Sequence, residues 1–232
     1  MKLNYTKFIT FIALTFIADI GFAQSNEIRI EFMGNCGLYM TDGTTNIYTD
    51  FPYKSGAYNY MEYDELELDS IKENSFFIFT HKHADHYSKK NLKKIMKEKG
   101  GQKFGVSNID ELQKLGEKID EFEIKAFKTK HTFFGIPFRH YSYLITWHGK
   151  QFYLSGDTTN PETISGIKNI DWAFVPYWIL VNAKEQEIEI DADMIGVYHL
   201  YPQQITSAKE NYDKVEHIHP LTNQGEVIRI EY

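Results

Sequence analysis

FFIFTHKHADHYSKK, residues 76–90, opens with four large apolar side chains and then sets His81, His83, Asp85 and His86 within six residues. The apolar run reads as a buried strand that ends at Thr80. On a helix, His81 and His83 would project about 200° apart, whereas on an extended segment they share a side. Asp85 and His86 are adjacent and point differently again. The spacing therefore fits two pairs of donors aimed at two neighbouring ions better than four donors on one ion. Imidazole and carboxylate suit zinc, with iron or manganese able to replace it. A solvated polar turn is the competing reading of the same residues.

Two ions need donors from elsewhere in the chain, and three stand where further strands end. His131 lies in KTKHTFF, Asp157 in FYLSGDTT behind a glycine that permits a sharp turn, and His199 in GVYHLYP. A carboxylate between two ions can bridge them at about 3.5–4 Å. Four other histidines compete. His140 in IPFRHYSY could replace His131 or line a substrate pocket. His148 in TWHGK falls in a hairpin turn and reads as exposed. His217 and His219 in VEHIHP are again two apart and rival His199.

Around these residues the chain reads as strand groups separated by helices. EIRIEFMG alternates apolar and polar residues, and GLYMT, TNIYTD and SFFIFT continue a β meander with turn signals between them. SKKNLKKIMKEKG predicts a helix capped by Ser88, striped by Leu92, Ile95 and Met96, and stopped at Gly100. NIDELQKLG predicts a second, short helix. EFEIKAF, YSYLITW, KQFYLSG, DWAFVPYWIL, GVYHL and EVIRIEY predict strands, and PQQITSAKENY a helix. Helices packed outside a pair of sheets is the architecture this order favours. Trp172 and Trp178 read as core. The long segment after Asp50 carries Tyr53, Tyr58, Tyr60 and Tyr63, which read as sandwich cover, with a substrate flap as the alternative.

Composition bounds the function. With 232 residues, 42% of them hydrophobic, the chain can bury a sizeable core as one domain. A net charge of −7 argues against nucleic acid as substrate. Residues 1–23 have Lys2 and Lys7, an apolar run over residues 8–18, and small residues at Gly21 and Ala23. That is the layout of a cleaved export signal, leaving residues 24–232 as the hydrolytic or binding domain, periplasmic or secreted, with no stable membrane anchor. Cys36 is the only cysteine, so no intrachain disulfide can form.

In this order THKHADH, His131, SGDT and the His of VYHLYP resemble the metallo-β-lactamase fold superfamily of metal-dependent hydrolases. The resemblance implies a four-layer αββα sandwich with metals in a cleft at one sheet edge. It also implies that His81, His83 and His131 hold one ion, that Asp85, His86 and His199 hold a second, and that Asp157 bridges them. Asp50, in YTD, would support the ligand loop from behind. IEFMGNCGLYMTDGTTNIYTDFP is similar to the opening of the compact branch that includes L-ascorbate-6-phosphate lactonase-like proteins. Asn35 stands where members of that branch often carry a His, which bears on a substrate contact rather than on the ligands. The implied activity is hydrolysis of a small ester, lactone or phosphodiester by water activated between two divalent ions, most simply zinc, with Asp85 steering that water. The alternatives are a β-lactamase, which the bridging Asp disfavours, and a member that binds metal without catalysis.

Overall fold

β1 (Glu27–Gly34) alternates half-buried and buried residues along its whole length, so Ile28, Ile30 and Phe32 form one apolar edge of a core. β1 is the first strand of a computed structural model that describes residues 26–54, 69–133, 135–212 and 214–232. The signal-like leader and Tyr58, Tyr60 and Tyr63 lie outside the described residues. β1 turns into β2 (Gly37–Thr41), and β3 (Asn46–Thr49) pairs with β2 in turn. β4 (Phe76–Phe79) runs parallel to β3. α1 (Lys89–Lys99) follows, with Ser88 Oγ accepting from the Asn91 backbone N–H and Gly100 ending it at φ 72°. β5 (Gln102–Gly105) completes the run and lies parallel to β4.

After α2 (Ile109–Leu112) and a 3-10 turn (Leu115–Glu117), the chain builds a second sheet. β6 (Phe122–Thr129) leads to the small hairpin of β7 (Thr132–Phe133) and β8 (Ile136–Pro137). β9 (His140–Trp147) and β10 (Lys150–Leu154) form a hairpin, followed by α3 (Glu162–Ser165) and β11 (Ile170–Pro176). α4 (Tyr177–Glu185), β12 (Ala192–Tyr198), α5 (Pro202–Tyr212) and β13 (Ile218–Pro220) follow. β14 (Val227–Glu231) crosses back to pair with β1. The strand orders are β14-β1-β2-β3-β4-β5 and β13-β12-β11-β10-β9-β6.

Three apolar layers hold this together. Ile30, Met40 and Ile78 meet Tyr143, Ile145, Trp147 and Phe152 between the sheets. Tyr48, Phe77 and Phe79 point the other way and are covered by Leu92 and Ile95 of α1. Tyr153, Ala173 and Val197 are covered by the helical face carrying Ile179, Ala183 and Ala208. Helix, sheet, sheet, helix is therefore the layer order, as the sequence resemblance implies. Tyr53 packs inside the layer of Tyr48 and Phe77, and Trp172 packs against the inter-sheet core. Among the described residues no helix is long and apolar enough to cross a membrane.

One predicted strand is corrected. DWAFVPYWIL is strand only to Pro176, and Tyr177 starts α4. Pro176 has no N–H to extend a ladder, and Ile179 and Ala183, four apart, supply the buried face of a helix. GVYHL extends upstream to Ala192 within β12 and stops at Tyr198.

Candidate metal centre

Parallel pairing places the C-terminal ends of β3, β4, β10 and β12 at one edge, and β6 delivers its own end there. The residues just past those ends are Asp50, His81, Asp157, His199 and His131. Asp50 and His199 take left-handed backbone conformations, φ 46° and 54°, which swing their side chains back over the edge. Gly156 has φ 58°, and a Cβ there would lie 2.6 Å from His140 Nε2 and 2.8 Å from Thr80. Only glycine lets the β10 turn close against the β4 turn and set Asp157 beside the histidines.

Asp50 orients two of those histidines. Its carboxylate accepts from Thr80 N at 2.7 Å and from Thr80 Oγ1 at 2.6 Å. It also accepts from His86 Nδ1 at 2.8 Å. Because the Thr80 hydroxyl proton goes to Asp50, its oxygen accepts from His81 Nδ1 at 3.1 Å. Both rings then carry their proton on Nδ1 and turn Nε2 toward the cleft, the usual device for orienting metal-ligating imidazoles. His131 is fixed likewise, its Nδ1 donating to the Asp157 carbonyl at 3.0 Å.

The donors fall into groups around Asp157. His81, His83, His131 and Asp157 have donor atoms within 4.8 Å of one another. His131 Nε2 faces His83 Nδ1 at 3.1 Å, and Asp157 Oδ2 lies 3.8 Å from His81 Nε2. Its other oxygen, Oδ1, lies 2.9 Å from His86 Nε2 and 3.3 Å from His199 Nε2, and Asp85 Oδ2 is 3.3 Å from the same His199 atom. Asp157 thus turns one oxygen to each group. Every residue proposed as a ligand from the sequence stands in this cluster, and His217 and His219 do not. His217 is exposed, while His219 pairs with Glu226 and packs its ring near Trp172.

Buried nitrogens test whether metal fits. Nε2 of His81 and Nδ1 of His199 are buried without a hydrogen-bond partner among the described residues, and Nε2 of His86 and of His199 face only carboxylate oxygens, at 2.9 and 3.3 Å. Each orphaned buried polar atom costs about 1–3 kcal/mol. A cation shared by several lone pairs and carboxylate oxygens removes that cost at once, so the donor set fits divalent metal.

The protein's own charges push the same way. Burial alone would lower the His199 pKa, but the Asp157 carboxylate reverses this and lifts it to about 9. Burial opposes charge on His86 too, yet the carboxylates of Asp157, Asp50 and Asp85 hold its pKa well above the usual range. Burial would raise Asp157, and the His199 and His86 imidazoles instead hold it well below. A proton and a cation are therefore alternative occupants of the His86–Asp157 contact. The orphaned nitrogens of His81 and His199 beside it favour the cation.

The remaining sequence candidates have other places. His140 is wholly buried and neither lines the cleft nor faces the other donors with an open lone pair. Its Nε2 accepts from Asp157 N at 2.9 Å and its Nδ1 donates to Thr129 at 2.6 Å, so it clamps the Asp157 turn. Burial pushes its pKa down to about 3 and keeps it neutral for that task. Asn35, also left-handed at φ 55°, donates to the Asp85 carbonyl at 2.6 Å and accepts from His199 N at 2.9 Å. It ties two ligand loops together. Trp178 packs against the core of the second sheet, as read from the sequence, and also lines the cleft, its ring 5.0 Å from that of His199. Thr80 and Tyr201 were not singled out from sequence, and no local pattern marks them. The cleft holds about 560 Å³ between His83, Asp85, His131, Asp157, Trp178 and Tyr201. Phe138 flanks it, its ring 4.4 Å from that of His83.

No protein-family model and no curated protein matches the chain. Solved structures do. Igni18, a metallo hydrolase from the archaeon Ignicoccus hospitalis, superposes with TM-score 0.64 at 16% identity over 89% of this chain and 99% of its own. An isothiocyanate hydrolase from Delia radicum gut bacteria gives 0.60 at 12% identity, over 88% of this chain and all of its own. CmlA, a diiron β-hydroxylase from Streptomyces venezuelae, gives 0.54 at 14% identity over 90% of this chain but 54% of its own. Two of these proteins are named hydrolases and the third a hydroxylase, so what the chain shares with all of them is the frame, and that frame is the metallo-β-lactamase fold.

Proposed function

We propose that the chain is an exported metal-dependent hydrolase that binds two divalent ions, most simply zinc, and cleaves a small ester, lactone or phosphodiester. The observation that carries this reading is the pair of donor groups sharing Asp157, one on each carboxylate oxygen. His81, His83 and His131 would hold one ion, and Asp85, His86 and His199 the other. When bound, such ions supply an acidified water as nucleophile and a Lewis acid for the carbonyl or phosphoryl oxygen.

The chain's own residues position the reaction. Asp85 lines the cleft and is the most exposed of the donor carboxylates, with a side chain 22% accessible. It is placed to orient the attacking water and accept its proton. Asp50 and Thr80 keep the ring protons of His86 and His81 on Nδ1, away from the cleft. Trp178, Tyr201 and Phe138 give the cleft aromatic walls, suited to a ring or an acyl chain beside the scissile group. The opening of the chain supports placement in the compact lactonase-like branch, and the leader over residues 1–23 supports export.

The test is elemental analysis of the purified chain followed by chromogenic ester, lactone, phosphodiester and β-lactam substrates. Two ions per chain and turnover of one of the first three are expected. Two ions without turnover of any substrate would establish metal binding without catalysis. Turnover confined to the β-lactam would reassign the substrate.

A further inference from the structure

Cys36 belongs to the donor cluster although its residue type and position gave no such indication. It sits in the β1–β2 turn, is 2% exposed, and its sulfur lies 3.9 Å from Asp157 Oδ1. Its Sγ and the donor atoms of His86, Asp157 and His199 all lie within 4.8 Å of one another. Donors at about 2.0–2.3 Å from one four- or five-coordinate ion stand roughly 2.8–3.8 Å apart. From Asp157 Oδ1 the separations are 2.9 Å to His86 Nε2, 3.3 Å to His199 Nε2 and 3.9 Å to Cys36 Sγ, which span that range. The second observation is the His199 ring, 2% exposed, whose Nδ1 has no hydrogen-bond partner among the described residues and whose Nε2 points at carboxylate oxygens of Asp157 and Asp85, 3.3 Å from each.

The turn is built to hold the sulfur there. Asn35 is bonded to the Asp85 loop on one side and the His199 loop on the other. Asp85 lines the cleft, whereas Cys36 does not. The carboxylate is thus reachable from the cleft, while the sulfur is buried beside His86 and His199.

We propose that Cys36 is an additional ligand of the ion held by Asp85, His86, His199 and Asp157, which makes that position a thiolate site. The inference rests on the two-ion reading above. On ligation the thiol proton leaves and the sulfur bonds to the ion. A soft thiolate selects zinc over iron or manganese, so the two positions differ in metal preference. The cysteine is also the only one in the chain, so any thiolate signature is assigned without a variant.

The experiment loads the full-length protein with cobalt(II), measures bound cobalt by elemental analysis, and records the absorption spectrum. The expected result is two equivalents bound, visible d–d bands, and an intense near-ultraviolet thiolate-to-cobalt band as the second equivalent binds. Cys36→Ser should abolish that band and weaken one equivalent by tenfold or more. X-ray absorption on the zinc-loaded wild-type chain gives a reading that no folding defect can obscure. A sulfur shell at about 2.3 Å supports the proposal. Two equivalents with only nitrogen and oxygen neighbours and no thiolate band overturn it while leaving the two-ion reading intact. Failure to bind cobalt or zinc at all overturns that reading, and this proposal with it.

Discussion

The two ends of the sandwich both bring histidine next to carboxylates, with opposite results. At the site end, His86 and His199 meet Asp85 and Asp157, and His81 Nε2 and His199 Nδ1 are buried without hydrogen-bond partners among the described residues. At the far end, where the β2–β3 turn meets the β9–β10 hairpin, His148 places Nε2 3.1 Å from Asp42 and Nδ1 3.3 Å from Glu121. Its ring stacks on Tyr232, with centroids 4.1 Å apart and planes 5° from parallel. Every polar atom of that ring has a partner, and the cluster ties the β2–β3 turn, the hairpin, the start of β6 and the C-terminus together. A histidine among carboxylates is thus no evidence of a metal. Several buried imidazole nitrogens that face one another and lack hydrogen-bond partners among the described residues are, whereas the lone unpaired Trp147 Nε1 beside His148, a donor with no lone pair to offer, is not.

Breaking the site end should cost function before stability. Asp157→Ala removes the carboxylate that faces both donor groups, so metal content should fall and turnover should drop by more than about 100-fold. Elemental analysis with kinetics on the best substrate checks this, and a variant keeping two ions and full activity would end the bridging role. Gly156→Ala should be nearly as severe. A left-handed non-glycine residue costs roughly 1–3 kcal/mol, before the contacts its Cβ would make with His140 and Thr80. Denaturant unfolding should show that loss, and metal content should fall with it. Asp50→Asn keeps the shape but cannot accept from both Thr80 and His86 as the carboxylate does. Metal affinity, measured by competition with a chelator, should weaken about 10- to 100-fold with little loss of fold.

What the sequence revealed follows the same division. The candidate ligand histidines and Asp157 were legible because they stand just past the ends of strands, and the two sheets bring such ends together whatever lies between them. His131 and His199 could be separated from His140 and His219 only in three dimensions. His140 stands at the start of β9 rather than past a strand end, so it reaches the cluster from behind. His219 lies within edge strand β13, paired with Glu226. His148 was placed in the correct turn but read as exposed. Its side chain is 11% accessible, because Tyr232 from the distant C-terminus covers it. Trp178 and Cys36 show the other gap. An aromatic in the first turn of a helix and a lone cysteine in a hairpin carry no periodic signal, and their positions beside the cleft come from elements that only the packed sheets make neighbours.

The far end supplies the smallest effect and the control for the others. Burial would raise the Asp42 carboxyl, but hydrogen bonds from Thr45 N, His148 and Thr44 outweigh it and hold the pKa below its ordinary 3.8. A carboxylate with a depressed folded-state pKa contributes stability above the unfolded value, and that contribution disappears as pH falls through the folded one. Asp42→Asn should therefore cost up to about 1 kcal/mol at neutral pH. The difference from wild type should shrink as pH drops below 3.8, because the wild-type carboxyl is then protonated as well. Denaturant titrations at neutral pH and at successive points below that value read this out. Metal content and turnover at neutral pH should not change, because Asp42 and Asp157 lie at opposite ends of the sandwich. A fall in metal loading on Asp42→Asn would mean that the hairpin staple and the metal centre are coupled through the strands joining them. The contrast between a structural and a functional histidine cluster would then have to be redrawn as one system.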